Sequence, residues 1–383
     1  MNASELTELA NTVPLADNHC HGVVGTPVTA ATFDDLATES DRPQPAGFTV
    51  FDSPLGVAIR AECAPLLGMP RHVSAGEYLA GRAAVGDEEV SRRLLTATGI
   101  SHYLIDTGYR SDDILSPEAT AALGGGTSRE IVRIEVLAEQ LAAEGTGAAE
   151  FGARFAERLA AETRKAAGLK TVIAYRFGLD FDPARPAAAE VAAAAGEWLG
   201  AGPSGAGGRW RLDHPVLLRA VLWAGVDTRL PLQFHVGFGD SDIVMHRNDP
   251  SKMTGFLHAT VDSGTSVMLL HCYPFIREAG YLAEVYPHVY FDTGAILHYT
   301  GASCQALIAQ SLELAPFAKL VFSSDAFGLP ELYHLGALLW RRGIGAIMSG
   351  WVERDEISGQ DAARYLHAIA HGNVERVYGL GDA

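Results

Sequence analysis

No two of the four cysteines in this sequence are spaced C-x-x-C, so neither a thiol-redox motif nor a paired-cysteine metal site is expected. Cys20, Cys63, Cys272 and Cys304 fit a reduced, cytoplasmic protein. Basic charge is also scarce, with 29 Lys and Arg against 46 Asp and Glu and a formal charge of −17. A nucleic-acid partner needs a dense basic face, and none is written here. The excess of acid speaks to solubility, and it neither requires nor forbids an anionic substrate held by a local Arg. No stretch approaches the ~18 apolar residues of a membrane span. The opening MNASELTELANTVPL lacks the basic and apolar regions of a signal peptide. Internal repeats of fixed period are missing too.

What is present is an ordinary globular composition, 48% hydrophobic and 20% charged. Short apolar runs recur, most followed by Ala- and Leu-rich helical segments. Eight candidate strands result: residues 14–19, 101–106, 131–136, 170–176, 230–236, 266–272, 288–293 and 319–325. The third, IVRIEV, reads equally well as the start of a helix. Continuous apolar runs imply strands buried on both faces, as in a parallel sheet. Eight strand–helix units predict an α/β fold, a (β/α)8 TIM-type barrel forming one domain over residues 1–383. FGARFAERLAAETRKAAG reads as the clearest helix, with Gly168 at its C-terminal cap. A bare barrel takes roughly 250 residues. The stretch from about 30 to 98 is therefore read as a helical insertion between strands 1 and 2, forming a lid or a substrate wall. Glycine-rich loops are expected at 124–128 and 201–208, and helices after the eighth strand.

Chemistry concentrates at the strand ends. The first strand closes on Asp17-Asn18-His19-Cys20-His21. Residues two apart share a face of a strand, so His19 and His21 can point together and chelate one cation. His235 closes LPLQFHV, His271 closes SVMLLHC and Asp325 closes KLVFSSD. Any one of these alone could be a strand-end residue bonded to backbone. Four strand ends on one rim point to a metal centre, because active sites of such barrels lie there. Lys170, at the start of KTVIAYR, is either a solvated lysine or part of that centre.

This set resembles the amidohydrolase superfamily: D-x-H-x-H on the first strand, Lys on the fourth, single His on the fifth and sixth, Asp on the eighth. The phrases PLQFHVGFGD, LLHCYP and VYFDTGA are most similar to the amidohydrolase-2 type, including the domain found fused to glutamine-synthetase-like proteins. The resemblance runs from Asp17 to the C-terminal HGNVERVYGL. It implies a metal-dependent hydrolase cleaving an amide or related C–N bond of a small polar substrate, some relatives acting on γ-glutamyl amides. It also leaves open a one-metal nonoxidative decarboxylase or other lyase. In the two-metal arrangement His19, His21 and Asp325 hold one ion, His235 and His271 the other, and a carboxylated Lys170 bridges them. In the one-metal arrangement the ion takes His19, His21, Asp325 and either His235 or His271.

Zinc is the first choice and manganese an alternative, with Asp325 as general base. Arg176 could clamp a substrate carboxylate, and Gln233, Tyr273 and Asp292 are further candidate substrate contacts. Arg176 reads equally well as a surface or salt-bridged arginine, and Gln233 as a residue behind the metal ligands or a core amide. His246 and His298 fall in loops without a role. A homodimer is the default expectation.

Overall fold

The computed structural model describes residues 1–381. Seven parallel strands form one sheet in the order of the chain. They are β1 (Leu15–Cys20), β2 (Ile100–Asp106), β3 (Thr127–Arg133), β4 (Gly168–Thr171), β5 (Leu232–Val236), β6 (Val267–His271) and β7 (Val289–Phe291). All residues of β1, β4, β5, β6 and β7 are buried, which is why these runs read as continuously apolar. Ala16 of β1 and Leu270 of β6 share one small apolar cluster with Leu104 and Ile131. In a flat sheet β1 and β6 would stand about 24 Å apart, so the sheet curls to bring them together.

Three expected strands are corrected. The third begins earlier, at Thr127, and ends at Arg133, where a helix (Ile134–Ala143) takes over. Glu135, in that helix's first turn, accepts hydrogen bonds from Thr171 Oγ1 (2.5 Å) and Val172 N (3.0 Å), and so holds the helix start against β4. The fourth stops at Thr171, and Ile173–Arg176 coil into a helical turn. Residues 319–325 form no regular strand. Leu320 makes an isolated bridge to Phe291, and three backbone bonds tie the segment to its neighbours. Val321 N donates to Phe291 O, Asn18 N to Phe322 O and Asp325 N to His19 O. Phe322 N is drawn away to Ile369 O, which interrupts the ladder. Gly168 does not cap a helix but opens β4. A Cβ there would come within 2.9 Å of Tyr378 and 3.0 Å of Pro231 O, so only glycine fits the approach of the chain's last helix.

Between β1 and β2 lie the helices Ala30–Leu36, Pro54–Ala58, Ala75–Val85 and Asp87–Thr96. Ser74 and Glu77 form a capping box at the third. This region is fastened to the long helix Pro330–Glu353 by a buried ion pair. Arg82 Nε donates to Glu331 Oε1 (2.7 Å), Tyr78 OH to the same oxygen (2.9 Å), and Arg82 Nη1 to Asp87 (2.6 Å). The same long helix sends Arg341 to the carbonyls of Ala10, Val13 and Thr98, closing off the sheet's N-terminal side. Among the described residues no helix is long and apolar enough to cross a membrane.

Removing one member of a buried pair leaves the other charge without compensation. Glu331→Ala should therefore lower the free energy of urea unfolding by about 3–5 kcal/mol, and an unchanged midpoint would show that the pair does not fasten these helices.

Candidate metal centre

The C-terminal ends of the strands open into a cavity of about 1180 Å³. His19 and His21 on β1, Lys170 on β4, His235 on β5, His271 on β6 and Asp325 on the 320–325 segment all line it. One donor atom from each of His19, His21 and Asp325 lies within 4.8 Å of the others. Asp325 Oδ1 stands 3.3 Å from His19 Nε2 and 3.7 Å from His21 Nε2, while Oδ2 stands 3.2 Å from His271 Nδ1. Lys170 Nζ lies 3.5 Å from His19 Nε2. The His235 and His271 rings are 4.7 Å apart, and His235 Nε2 is buried with no partner among the described residues.

Hydrogen bonding decides which ring nitrogens are free. His19 Nδ1 faces Gln233 Oε1 at 2.8 Å, and His21 Nδ1 faces the Asp106 carbonyl at 2.9 Å. Both partners only accept, so each Nδ1 carries the proton and each Nε2 keeps a lone pair. Burial pushes the pKa of His19 well down and that of His21 to about 4, so both rings are neutral. Two lone pairs thus face a carboxylate oxygen at close range. Neutral imidazoles with a carboxylate are the donor set that zinc and similar divalent ions take. His235 and His271 are likewise held well below the usual histidine range by burial.

The centre is braced from behind. Gln233 Nε2 donates to Asn18 O (2.7 Å) and to Tyr378 OH (2.8 Å), and Tyr378 OH donates to Asn18 Oδ1 (2.8 Å). Asn18 Nδ2 donates to Asp292 Oδ2, and Asp292 Oδ1 accepts from His271 N (2.8 Å) and Gly294 N (2.9 Å). His271 and Asp325 both adopt positive φ, 67° and 49°. This costs of order 1–3 kcal/mol at each non-glycine residue, and it is sustained by bonds such as Asp292 to His271 N. Asp17 accepts from Ser324 N and Oγ, fixing the turn before Asp325. Burial pushes Lys170 down to about 8, opposed by the charges of Asp325 and Asp106.

Of the four expected substrate contacts, Arg176 lines the cavity, paired to Glu139 at 3.2 Å. The other three lie elsewhere. Gln233 and Asp292 are buried behind the donors and committed to the network just described. Tyr273 is 36% exposed and is not among the cavity-lining residues. Sequence reasoning missed Arg133, which closes β3 and pairs with buried Asp106 at 2.6 Å. The misplaced third strand hid it. It also missed Glu39, Tyr175, Asp240 and Tyr299, which lie outside the seven strands. His298, which had no role, lines the cavity with both ring nitrogens buried and unpartnered among the described residues.

The chain is similar to several known proteins. Protein fluG of Emericella nidulans is 25% identical over an alignment of 425 positions, covering 99% of this chain. The chain spans about half of that relative, 47% of its length. A provisionally assigned metal-dependent hydrolase from Lactobacillus casei superposes with a TM-score of 0.85 at 28% identity, covering 98% of this chain and 97% of its own. Glucuronate isomerase from Caulobacter crescentus shares the fold, with a TM-score of 0.66 at 16% identity over 100% of this chain and 94% of its own. The model of the Amidohydrolase family matches residues 82–380, from the region before β2 through the last helix, and the chain belongs to that family.

Proposed function

We propose that this protein is a metal-dependent hydrolase that cleaves an amide or related C–N bond of a small polar substrate, a γ-glutamyl amide being the class we favour. The observation that carries it is the grouping of neutral His19 and His21 around Asp325 at the floor of an open cavity. In this reading His19, His21 and Asp325 would hold one ion and His235 and His271 a second, with Lys170, carboxylated by CO2 with loss of a proton, as a further ligand. The lowered pKa of Lys170 favours the free amine that carboxylation requires. A divalent ion, zinc first and manganese as substitute, supplies Lewis acidity there, lowering the pKa of water to about 7 and polarising the carbonyl under attack.

The chain's own groups do the remaining work. Asp325 takes the proton of the attacking water and hands it to the departing nitrogen. Its burial raises its pKa, which suits a group that must hold that proton between the two transfers. Arg176 keeps a buried Nε without a partner among the described residues, a donor free for a substrate carboxylate. The region between β1 and β2 contributes Leu36 and Glu39 to the cavity wall, consistent with a lid or specificity wall. A one-metal decarboxylase or other lyase is the second reading, favoured by the fact that among the described residues the donors that meet within 4.8 Å are those of His19, His21 and Asp325.

Metal content separates the two. Wild type should carry about two equivalents per chain and Lys170→Ala one or none. One equivalent, unchanged by the substitution, would favour the lyase, and a chain that takes up neither zinc nor manganese would sink both readings. Gln233→Leu removes the bond that orients His19, so its metal affinity, read by competition with a chelator, should fall by about 10–100-fold. Unchanged affinity would separate Gln233 from the centre.

A further inference from the structure

One wall of the cavity carries two carboxylates that form no direct ion pair among the described residues. Among the arginines that line the cavity, Arg110, Arg133, Arg176 and Arg211 are paired with Asp113, Asp106, Glu139 and Asp242, and Arg209 donates to the Ala206 carbonyl. Glu39 and Asp240 line the same cavity and have no ion-pair partner among the described residues. The two are brought together by their loops. Ser241 Oγ donates to Asp41 Oδ2 at 2.9 Å, bridging the residue after Asp240 to the segment that carries Glu39.

Aromatic rings close the gap between this wall and the metal centre. Tyr299 OH donates to Glu39 Oε1 (3.0 Å), and its ring packs on Phe238 at 5.2 Å. Gly239 follows, and a Cβ there would meet Tyr175 OH at 2.3 Å and His235 Nε2 at 3.1 Å. The Tyr175 hydroxyl and His235 therefore crowd against the backbone that presents Asp240. His298, next to Tyr299, adds an imidazole that is buried, unpartnered at both nitrogens and lines the cavity. Burial holds its pKa near 3, so the ring is neutral and one nitrogen can accept a hydrogen bond.

Carboxylates, a hydroxyl, a neutral imidazole and ring faces are the groups that receive an ammonium ion. A divalent metal would ask for a third strong donor, and among the described residues the only such cluster is His19, His21 and Asp325. We propose that Glu39 and Asp240, with Tyr299 and His298, form a subsite for a primary ammonium group of the substrate, Glu39 being its principal anchor. The inference rests on the hydrolase reading above for its setting and adds the recognition of a cation a few ångströms from the scissile bond. For a γ-glutamyl amide that cation is the α-ammonium, and the unpaired Nε of Arg176 is left for the α-carboxylate.

L-Glutamate and glutarate differ only by that ammonium group, and neither can be hydrolysed. Titrated calorimetrically into zinc-loaded wild type, glutamate should bind about ten-fold or more tightly than glutarate, and the preference should vanish in Glu39→Gln and weaken in Asp240→Asn. Both replacements keep side-chain size, and melting temperature and metal content verify that each variant is intact. Equal affinities, tighter glutarate, binding of neither, or a preference that survives in intact Glu39→Gln would each overturn the subsite. Turnover of γ-glutamyl and glutaryl anilides, run in parallel, tests the reaction separately. Selective glutamate binding without cleavage of either anilide keeps the subsite and removes the hydrolase reading. Cleavage of both at equal efficiency keeps the hydrolase and removes the subsite.

Discussion

Two imidazole lone pairs aimed at one carboxylate govern the architecture around them. His19 and His21 are each fixed in the same tautomer, one by a side-chain amide and one by a backbone carbonyl. Asp325 is then brought against both by a backbone bond to His19 O and by a left-handed turn. None of these arrangements is favourable by itself. The turn is strained and the carboxylate is desolvated. A divalent cation would reverse the sign of the electrostatic part, which is why the surrounding residues read as a frame built for one.

That frame explains why polar side chains fill the middle of a sheet whose strands are otherwise apolar. Asn18, Gln233, Asp292 and Tyr378 satisfy one another in a closed set of bonds. Two of these side chains also steady a residue that faces the cavity, His19 through Gln233 and His271 through Asp292. A network this buried tolerates no missing member, because an orphaned donor or acceptor in low dielectric costs more than the bond it lost.

The six proposed donors were legible in the sequence because each sits at the end of an apolar run or, for Lys170, within one. Burial of the strand and exposure of its end are both written in the hydrophobic pattern. Other parts were not legible. IVRIEV carries a strand pattern and a helix pattern at once, and the choice is made by Thr171 and Val172 of the neighbouring element, contacts that no local window contains. The 319–325 run looked like its predecessors, yet Phe322 gives its N–H to Ile369, far along the chain. Gln233 and Asp292 looked like substrate contacts because strand position says which residues lie near a rim, not which side of the donors they occupy. Glu39 and Asp240 lie in loops, where periodicity carries no signal. Only their meeting through Ser241 and Asp41 gives them meaning.

The hydroxyl of Tyr378 bonds to Asn18 across 360 positions of sequence, and this sets an order of events during biosynthesis. His19 emerges from the ribosome well before Tyr378, the group that completes its brace. A growing chain can form the early strands and still present an unfinished donor set with loosely held imidazoles. The bracing of His19 is complete only when the helix Asn373–Tyr378 has seated against Gly168.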